Sequence, residues 1–397
     1  MKLSDRVMGI APSLTLKITA MSNELKAQGR NVIGFGAGEP DFTTPQFIRD
    51  AAKEALDKGL TKYTPSSGTN DLRKAFADRL LAKYGLEYAP KNIIVSNGAK
   101  HSLFNVCQAV LNPGDECIIP APYWLTYPEL VKMAGAVPVY VETTEHDGFK
   151  AKVEDLQKAV TPKTKALILN SPSNPCGCVY DKEELIKIAE FALNNKLVVI
   201  SDEIYDELVY GGKEQTSIAT LGEEIKDNTV IINGLSKTYA MTGWRIGYTA
   251  SNKALAEAMD GYQSHAASNP NSIAQYASVA AMKGPQDFIA QLRDTFDRRR
   301  LLMHKLINDI PDISALLPDG AFYIMMNISG LVGKTYEGKP ITGSLDFSEM
   351  LLAATLTAVV PGVAFGADNF VRLSYATSED NIQKGIERIG EFVEMLK

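Results

Sequence analysis

A chain of 397 residues is longer than one hydrophobic core usually organises, so a larger and a smaller domain are expected. Its formal charge of -6 leaves no basic excess to neutralise phosphates, which argues against nucleic acid as a partner. No run of residues is apolar and long enough to span a membrane, and Met1-Lys-Leu-Ser-Asp-Arg-Val-Met8 lacks the apolar core of a signal peptide; a cytoplasmic location follows as the expectation. Cys107, Cys117, Cys176 and Cys178 form no paired CxxC sites and have few histidines for company, so reduced thiols are expected rather than a zinc site or disulfides.

The chain starts irregularly at Ala11-Pro-Ser-Leu-Thr15, continues in a helical pattern to Gly29, and reaches Asn31-Val-Ile-Gly-Phe-Gly-Ala-Gly-Glu-Pro-Asp-Phe42. The alternating glycines there mark backbone that something approaches closely, although the spacing is not that of a phosphate loop. The next helix is predicted from Pro45 to Gly59 with Phe47, Ala51, Ala55 and Leu56 inward, and another from about Asp71 to Gly85, with the turn-rich Lys62-Tyr-Thr-Pro-Ser-Ser-Gly68 between them. From Asn92 strands and helices alternate. Strands are predicted at Ile93–Ser96, Glu116–Ile119, Pro138–Val141, Ala166–Leu169, Val198–Ser201 and Val230–Ile232, with helices after Asn97 and over Val153–Val160 and Glu183–Asn194. This alternation predicts an α/β domain with a mostly parallel sheet, whose ligands sit beyond the strand C-termini. Ile93-Ile-Val-Ser96 runs through Asn97-Gly-Ala-Lys100 into a helix, which points backbone N–H groups at an anion. Trp124, in Pro122-Tyr-Trp-Leu-Thr-Tyr127, suits the covering of a flat ring.

Three strand ends carry the chemistry. One leads to Asn174 in a proline-bracketed loop, and one ends on Asp202 with Tyr205 three residues on. The third leads from Thr229-Val-Ile-Ile232 to Lys237, and Arg245 is the only other formally charged residue between Thr229 and Asn252. An amine in such a setting either pairs with a carboxylate as a core lysine, loses its proton, or bonds to a carbonyl compound. Asp202, as a residue, either caps a helix or faces a buried cation. One ligand explains the groups together: pyridoxal phosphate, held as a Schiff base by lysine with an acid beside its ring nitrogen.

Asn174-Pro-Cys-Gly177, Ser201-Asp-Glu-Ile-Tyr205 and Ser236-Lys-Thr-Tyr-Ala-Met-Thr-Gly-Trp-Arg-Ile-Gly247 resemble the class I/II, fold-type I pyridoxal-phosphate aminotransferases, most nearly the bacterial aspartate aminotransferases of the Ib subgroup. Gly38-Glu-Pro-Asp-Phe42, Lys62-Tyr63, Pro122-Tyr-Trp124 and Val371-Arg-Leu-Ser-Tyr-Ala376 fit the same family in the same order. The resemblance implies a homodimer with active sites at the subunit interface, acting on amino-acid and 2-oxo-acid substrates by a ping-pong cycle. It implies Lys237 as the cofactor-bearing base, Asp202 beside the ring nitrogen, and Tyr205 with Asn174 at the ring oxygen. Gly98, Ala99, Lys100, Ser236 and Arg245 would hold the phosphate, Trp124 would stack on the ring, and Tyr63 would reach the neighbouring subunit's phosphate. Arg372 would grip the substrate α-carboxylate with Asn174 and the Gly38 backbone. The arginine that reads a distal carboxylate in the animal-type branch is matched by Ser264; Lys100, near Ser13 and Thr15, is implied in its place. Cys176 and Gly234 depart from that branch as well. Aspartate with 2-oxoglutarate is the expected substrate pair, with prephenate as an alternative acceptor; a lyase or a non-catalytic pyridoxal-phosphate-binding regulator are the other readings.

The C-terminal part is expected to form the smaller α+β unit. A helix over about Gln286–Asn308 should bury Phe288, Leu292, Phe296 and Leu302 and turn Arg298-Arg-Arg300 mostly outward. Strands are predicted at Ala321–Met326, Ala358–Pro361 and Val371–Tyr375, before a last helix from Glu379. The expected division is an arm at 1–45 that joins the small domain, a large cofactor-binding domain at 46–285, and the rest of the discontinuous small domain at 286–397.

Overall fold

The computed structural model describes residues 3–10 and 14–397, the side chains of residues 5, 6 and 14–19 excepted. Ser13 and the Thr15 side chain lie outside the described residues. Seven strands form the principal sheet: β1 (Ile93–Ser96), β2 (Glu116–Ala121), β3 (Val137–Glu142), β4 (Thr164–Asn170), β5 (Val198–Asp202), β6 (Thr229–Gly234) and β7 (Gly247–Ala250). Their spatial order is β1-β7-β6-β5-β4-β2-β3. All neighbours run parallel except β7, which is antiparallel to both β1 and β6. The architecture is α/β with a mostly parallel sheet, as its alternating elements predict.

The unbroken apolar runs of β4 and β5 follow from helices on both faces. Ala166, Ile168 and Ile200 pack with Leu103 and Val106 of the Ala99–Val110 helix. Leu167, Leu169 and Val199, pointing the other way, meet Leu185 and Ile188 of the Lys182–Asn194 helix. That helix opens with a reciprocal cap: Asp181 accepts from the Glu184 N–H at 2.9 Å, and Glu184 accepts from the Asp181 N–H at 2.8 Å. A smaller antiparallel sheet contains β8 (Ser314–Ala315), β9 (Tyr323–Asn327), β10 (Val360–Pro361) and β11 (Phe370–Ser374), in the order β10-β11-β9-β8. Its core takes in Ile33 and Phe35 from the N-terminal arm, and Ile33–Gly34 pairs in parallel with Thr357–Ala358.

Three sequence expectations are corrected. The helix expected over Pro45–Gly59 spans Gln46–Asp57 and buries Ile48, Ala52 and Ala55; Leu56 is exposed, and Phe47 and Ala51 are only half-buried. Its packing against the Ser272–Lys283 helix selects the Ile48 face. The Asp287–Asn308 helix buries Ile289, Leu292, Phe296, Arg300, Met303 and Ile307, leaving Phe288 and Leu302 at the margin. Its basic triplet therefore does not point outward as a unit. Arg298 does; Arg299 forks onto Asp41 at 2.8 and 2.9 Å, and buried Arg300 donates to Asp297 at 2.8 Å and to the Pro318 carbonyl at 2.6 Å. A charged side chain on an inward stripe is tolerated because each donor meets an oxygen. Finally, Arg245-Ile-Gly-Tyr-Thr249 reads in the sequence as a short strand, but β7 begins only at Gly247, since Arg245 takes a left-handed conformation at φ 57°.

Candidate active site

The C-terminal ends of the parallel strands open into a cavity of about 510 Å³. Register puts Asn170, at the end of β4, opposite Asp202, at the end of β5, and the neighbouring β6 leads into the Lys237 turn. From the smaller sheet, β11 brings in Arg372 and β9 brings in Tyr323. The cavity is lined by Gly38, Ala99, Lys100, Trp124, Asn174, Asp202, Tyr205, Ser236, Lys237, Arg245 and Arg372, residues far apart in the chain. Gly98 stands immediately before the helix that opens there. Tyr63 is not brought in: it is 90% exposed on a loop outside the cavity. Ser13 and Thr15 lie outside the described side chains.

Lys237 donates to the Gly38 carbonyl. Burial lowers its pKa to about 8, Arg245 and Arg372 add to the lowering, and Glu39 and Asp202 oppose it. A far larger fraction of this amine is therefore neutral near pH 8 than of an ordinary lysine. Burial raises Asp202 to about 6, against the Tyr127 phenol and the Ile204 N–H, which donate to its two oxygens at 2.7 and 3.2 Å. The Asn170 amide donates to the Asp202 carbonyl at 2.9 Å and accepts from the Asn174 N–H at 2.8 Å, locking the two strand ends together.

Arg372 is only 5% exposed, yet among the described residues no carboxylate pairs with it. It donates to Asn174 Oδ1 at 3.0 Å and to the Gly36 carbonyl at 3.2 Å, and packs over the Tyr323 and Phe365 rings. Its Nε has no partner. A buried guanidinium without a counter-charge is costly, and an anionic ligand with a carboxylate fork would satisfy it. Tyr205 shares a hydrogen bond with Tyr323 at 3.1 Å, and burial holds its phenol well above the usual range.

At the other end, Gly98 has φ 86° and leads into the helix starting at Ala99. A Cβ on Gly98 would lie 2.4 Å from the Arg245 guanidinium, and one on Gly247 would lie 2.2 Å from the Ala99 nitrogen. Gly98 thus leaves room for Arg245 to close over the helix N-terminus, and Gly247 lets its strand pass against the backbone of Gly98 and Ala99. Arg245 donates to the Thr242 carbonyl at 2.8 Å and has no acidic partner among the described residues. Helix N–H groups, an arginine and Ser236 thus converge as a phosphate cradle would.

Residues 30–389 match the family model for aminotransferase class I and II. The chain belongs to this family. Over 391 residues the aminotransferase is 48% identical to an aspartate aminotransferase of Bacillus sp. strain YM-2, covering 98% of this chain and 99% of that one. It is 45% identical over 392 residues to an aspartate/prephenate aminotransferase of Cereibacter sphaeroides, with 98% of each covered. Among solved structures, the aspartate aminotransferase from Rhizobium meliloti superposes with a TM-score of 0.97 at 41% identity, with both chains fully covered (100%). The Thermus thermophilus aspartate aminotransferase with maleate gives 0.93 at 41% identity, covering 98% of this chain and 99% of that one.

Within the aminotransferase, sequence reasoning overlooked Tyr127, Asn170, Tyr323, Glu39 and Thr242, all of which line the cavity. Tyr127 follows Trp124 by three residues across the turn that opens the Thr126–Met133 helix, where their rings meet edge-on at 5.4 Å, and this spacing is the available signal. Tyr323 has none, because it reads as a strand residue, and Asn170, one position past the strand predicted at Ala166–Leu169, carries no mark that separates it from its loop. Ser264, matched in sequence to the animal-type arginine, is exposed on the Lys253–Ala266 helix and bonded to the Gly261 carbonyl. Cys176 packs against Phe149, Cys178 and Met325, so its replacement of a threonine is a matter of core filling.

Proposed function

We propose that the aminotransferase moves an amino group between L-aspartate and 2-oxoglutarate, giving oxaloacetate and L-glutamate, with pyridoxal phosphate as its cofactor and a ping-pong cycle. The observation that carries the reading is the charge of one cavity: among the described residues, Lys100, Lys237, Arg245 and Arg372 line it against only Glu39 and Asp202. Such an excess suits a phosphate and a dicarboxylate together. The relatives named above support the choice of aspartate.

The residues fit the cofactor. Gly98, Ala99, Lys100, Ser236 and Arg245 would hold its phosphate, Trp124 would cover the ring, and Lys237 would bind it covalently. Bound there, pyridoxal phosphate would supply a cationic ring able to accept electrons from the substrate Cα. Asp202 keeps a negative charge where the ring nitrogen needs it, with Tyr127 and the Ile204 N–H stabilising that charge. Tyr205 and Asn174 would face the ring oxygen. Arg372 orients the substrate by its α-carboxylate, and Lys237 Nζ carries the proton to and from Cα. Tyr63 would complete the cofactor site of a second subunit, making the working unit a homodimer. In the same reading residues 46–285 form the large domain, and 1–45 with 286–397 the small one that supplies Arg372.

Two results should follow. Tyr127→Phe removes a donor from the ionised form of Asp202, so its pKa rises; the acid limb of the kcat/KM profile should move to higher pH and turnover should fall about threefold to tenfold. An unmoved limb would leave Tyr127 with packing alone. Lys100, whose Nζ stands 5.0 Å over the Trp124 ring, is exposed to the cavity and its pKa is lowered by burial and then by Arg245. As the reader of the distal carboxylate, it should affect aspartate more than alanine: Lys100→Ala should lower kcat/KM for aspartate by about 1–3 kcal/mol more than for alanine. Equal losses with weaker cofactor binding would make Lys100 a phosphate residue only. Assay of several amino donors against oxo-acid acceptors, prephenate included, tests the acceptor, since a relative at 45% identity is named for both aspartate and prephenate.

A further inference from the structure

Tyr63 stands almost wholly in solvent, yet the loop that carries it is held firmly. Two buried glutamines, both 0% exposed, secure the segment that follows it. Gln275 accepts from the Thr69 N–H at 2.8 Å and donates to the Thr64 hydroxyl at 3.0 Å and to the Pro270 carbonyl at 2.8 Å. Gln263 donates to the Ser66 carbonyl at 2.6 Å and to the Val95 carbonyl at 2.8 Å. Asp260, on the same helix as Gln263, receives the Ser66 hydroxyl. A large aromatic on a stiff base forfeits little entropy when a second surface covers it, which is the property of an interface anchor.

Gln263 does a second thing. Its Oε1 accepts from the Ser96 hydroxyl at 2.9 Å and from the Asn105 amide at 2.7 Å. Ser96 ends β1, and its carbonyl accepts from the Gly98 N–H at 2.7 Å; Asn105 lies on the Ala99–Val110 helix. One amide therefore spends both donors and both lone pairs joining the Tyr63 loop to the helix whose N-terminus faces the cavity. No apolar side chain of the same volume could hold these groups: the Ser66 and Val95 carbonyls would lose this donor, and Ser96 and Asn105 would keep only their own contact at 3.4 Å.

We propose that Gln263 is a positioning residue for two cofactor sites at once: it sets the phosphate helix of its own subunit and the loop that delivers Tyr63 to the other subunit. This rests on the reading of Tyr63 as a phosphate contact across a homodimer. Its consequence is that the two sites are mechanically joined, so a change at Gln263 reaches a site in whose subunit it does not lie.

The test uses tagged heterodimers in which one subunit carries Lys237→Ala, leaving a single site able to bind pyridoxal phosphate covalently. The readout is the pyridoxyl group fixed by borohydride as free cofactor is varied, which reports affinity without turnover. Gln263→Met placed in the subunit with intact Lys237 disturbs that site's own helix; placed in the Lys237→Ala subunit, it disturbs only the loop arriving from across. Each arrangement should weaken the site about fivefold or more, the loss of roughly one hydrogen bond's worth of positioning. Loss only in the first arrangement would confine Gln263 to its own subunit and overturn the proposal. Tyr63→Ala in the Lys237→Ala subunit distinguishes the underlying reading: if it leaves the intact site's affinity unchanged in an assembled dimer, the shared-site reading itself falls, and the proposal with it. Should Gln263→Met fail to fold, Gln263→Glu keeps the acceptor side toward Ser96 and Asn105 but loses amide donors. It should weaken the site more from across the dimer than from within, and the reverse order would count against the proposal.

Discussion

Lys237→Ala should bind pyridoxal phosphate and yet lose steady-state transamination by about 10⁴-fold or more, the larger end of what a positioned acid–base group contributes. The expectation rests on position and on charge. Lys237 lies in a turn straight after β6, donates to the Gly38 carbonyl, and is held to about 8 by burial foremost. Among the described residues no other lysine lining the cavity is placed near Asp202 in this way; Lys100 sits at the helix end, over Trp124. The wild-type protein should be yellow, and borohydride should fix the cofactor on Lys237. Capture of the aldehyde by apoprotein should rise through pH 8, because the neutral amine is the nucleophile and its population grows until the pKa is passed. An ordinary lysine would show that rise near its usual value of about 10.4. Peptide mapping that located the reduced adduct elsewhere would falsify the assignment.

Asp202→Asn should lower turnover by at least roughly a hundredfold with the cofactor still bound, within the range for removing a preorganised electrostatic partner. Asp202 is 3% exposed at the end of a buried strand, and burial, outweighing its donors and Lys237, moves it up to about 6. Two donors, Tyr127 and the Ile204 N–H, favour its ionised form, and a cation beside it would do so more strongly. Asparagine keeps the shape and a hydrogen-bond acceptor for Tyr127 but not the charge, so the substitution isolates the electrostatic part. Full turnover at full cofactor occupancy would remove Asp202 from the mechanism.

Much of this site was legible beforehand because its residues sit at strand ends and in turns, where local chemistry leaves marks. Lys237 lies in a stretch nearly free of other charge, Asp202 interrupts an apolar strand, and Gly98 stands between a strand and a helix. Hydrogen-bond partners left fewer marks. Tyr127 and Asn170 support Asp202 through contacts spanning 75 and 32 residues of chain, a pairing that only the sheet's register creates. The inward face of the Gln46–Asp57 helix was misread for a similar reason: several apolar stripes were available locally, and the neighbouring Ser272–Lys283 helix chose Ile48, Ala52 and Ala55. Arg300 shows the limit of reading charge as exposure, since its pattern position is inward and its carbonyl and carboxylate partners make burial tolerable.

By itself, then, the sequence determined the alternation of strand and helix, the parallel sheet and the residue types of the site, because hydrophobic period, turn chemistry and helix termini are local properties of the chain. The tertiary structure decided which side chains share a hydrogen bond and which face each helix buries. It also decided that Arg372, arriving from a separate sheet, sits buried in the same cavity as Lys237 with no acid to pair with among the described residues. Those outcomes depend on contacts between segments tens to hundreds of residues apart, where desolvation and register act only after the elements have packed.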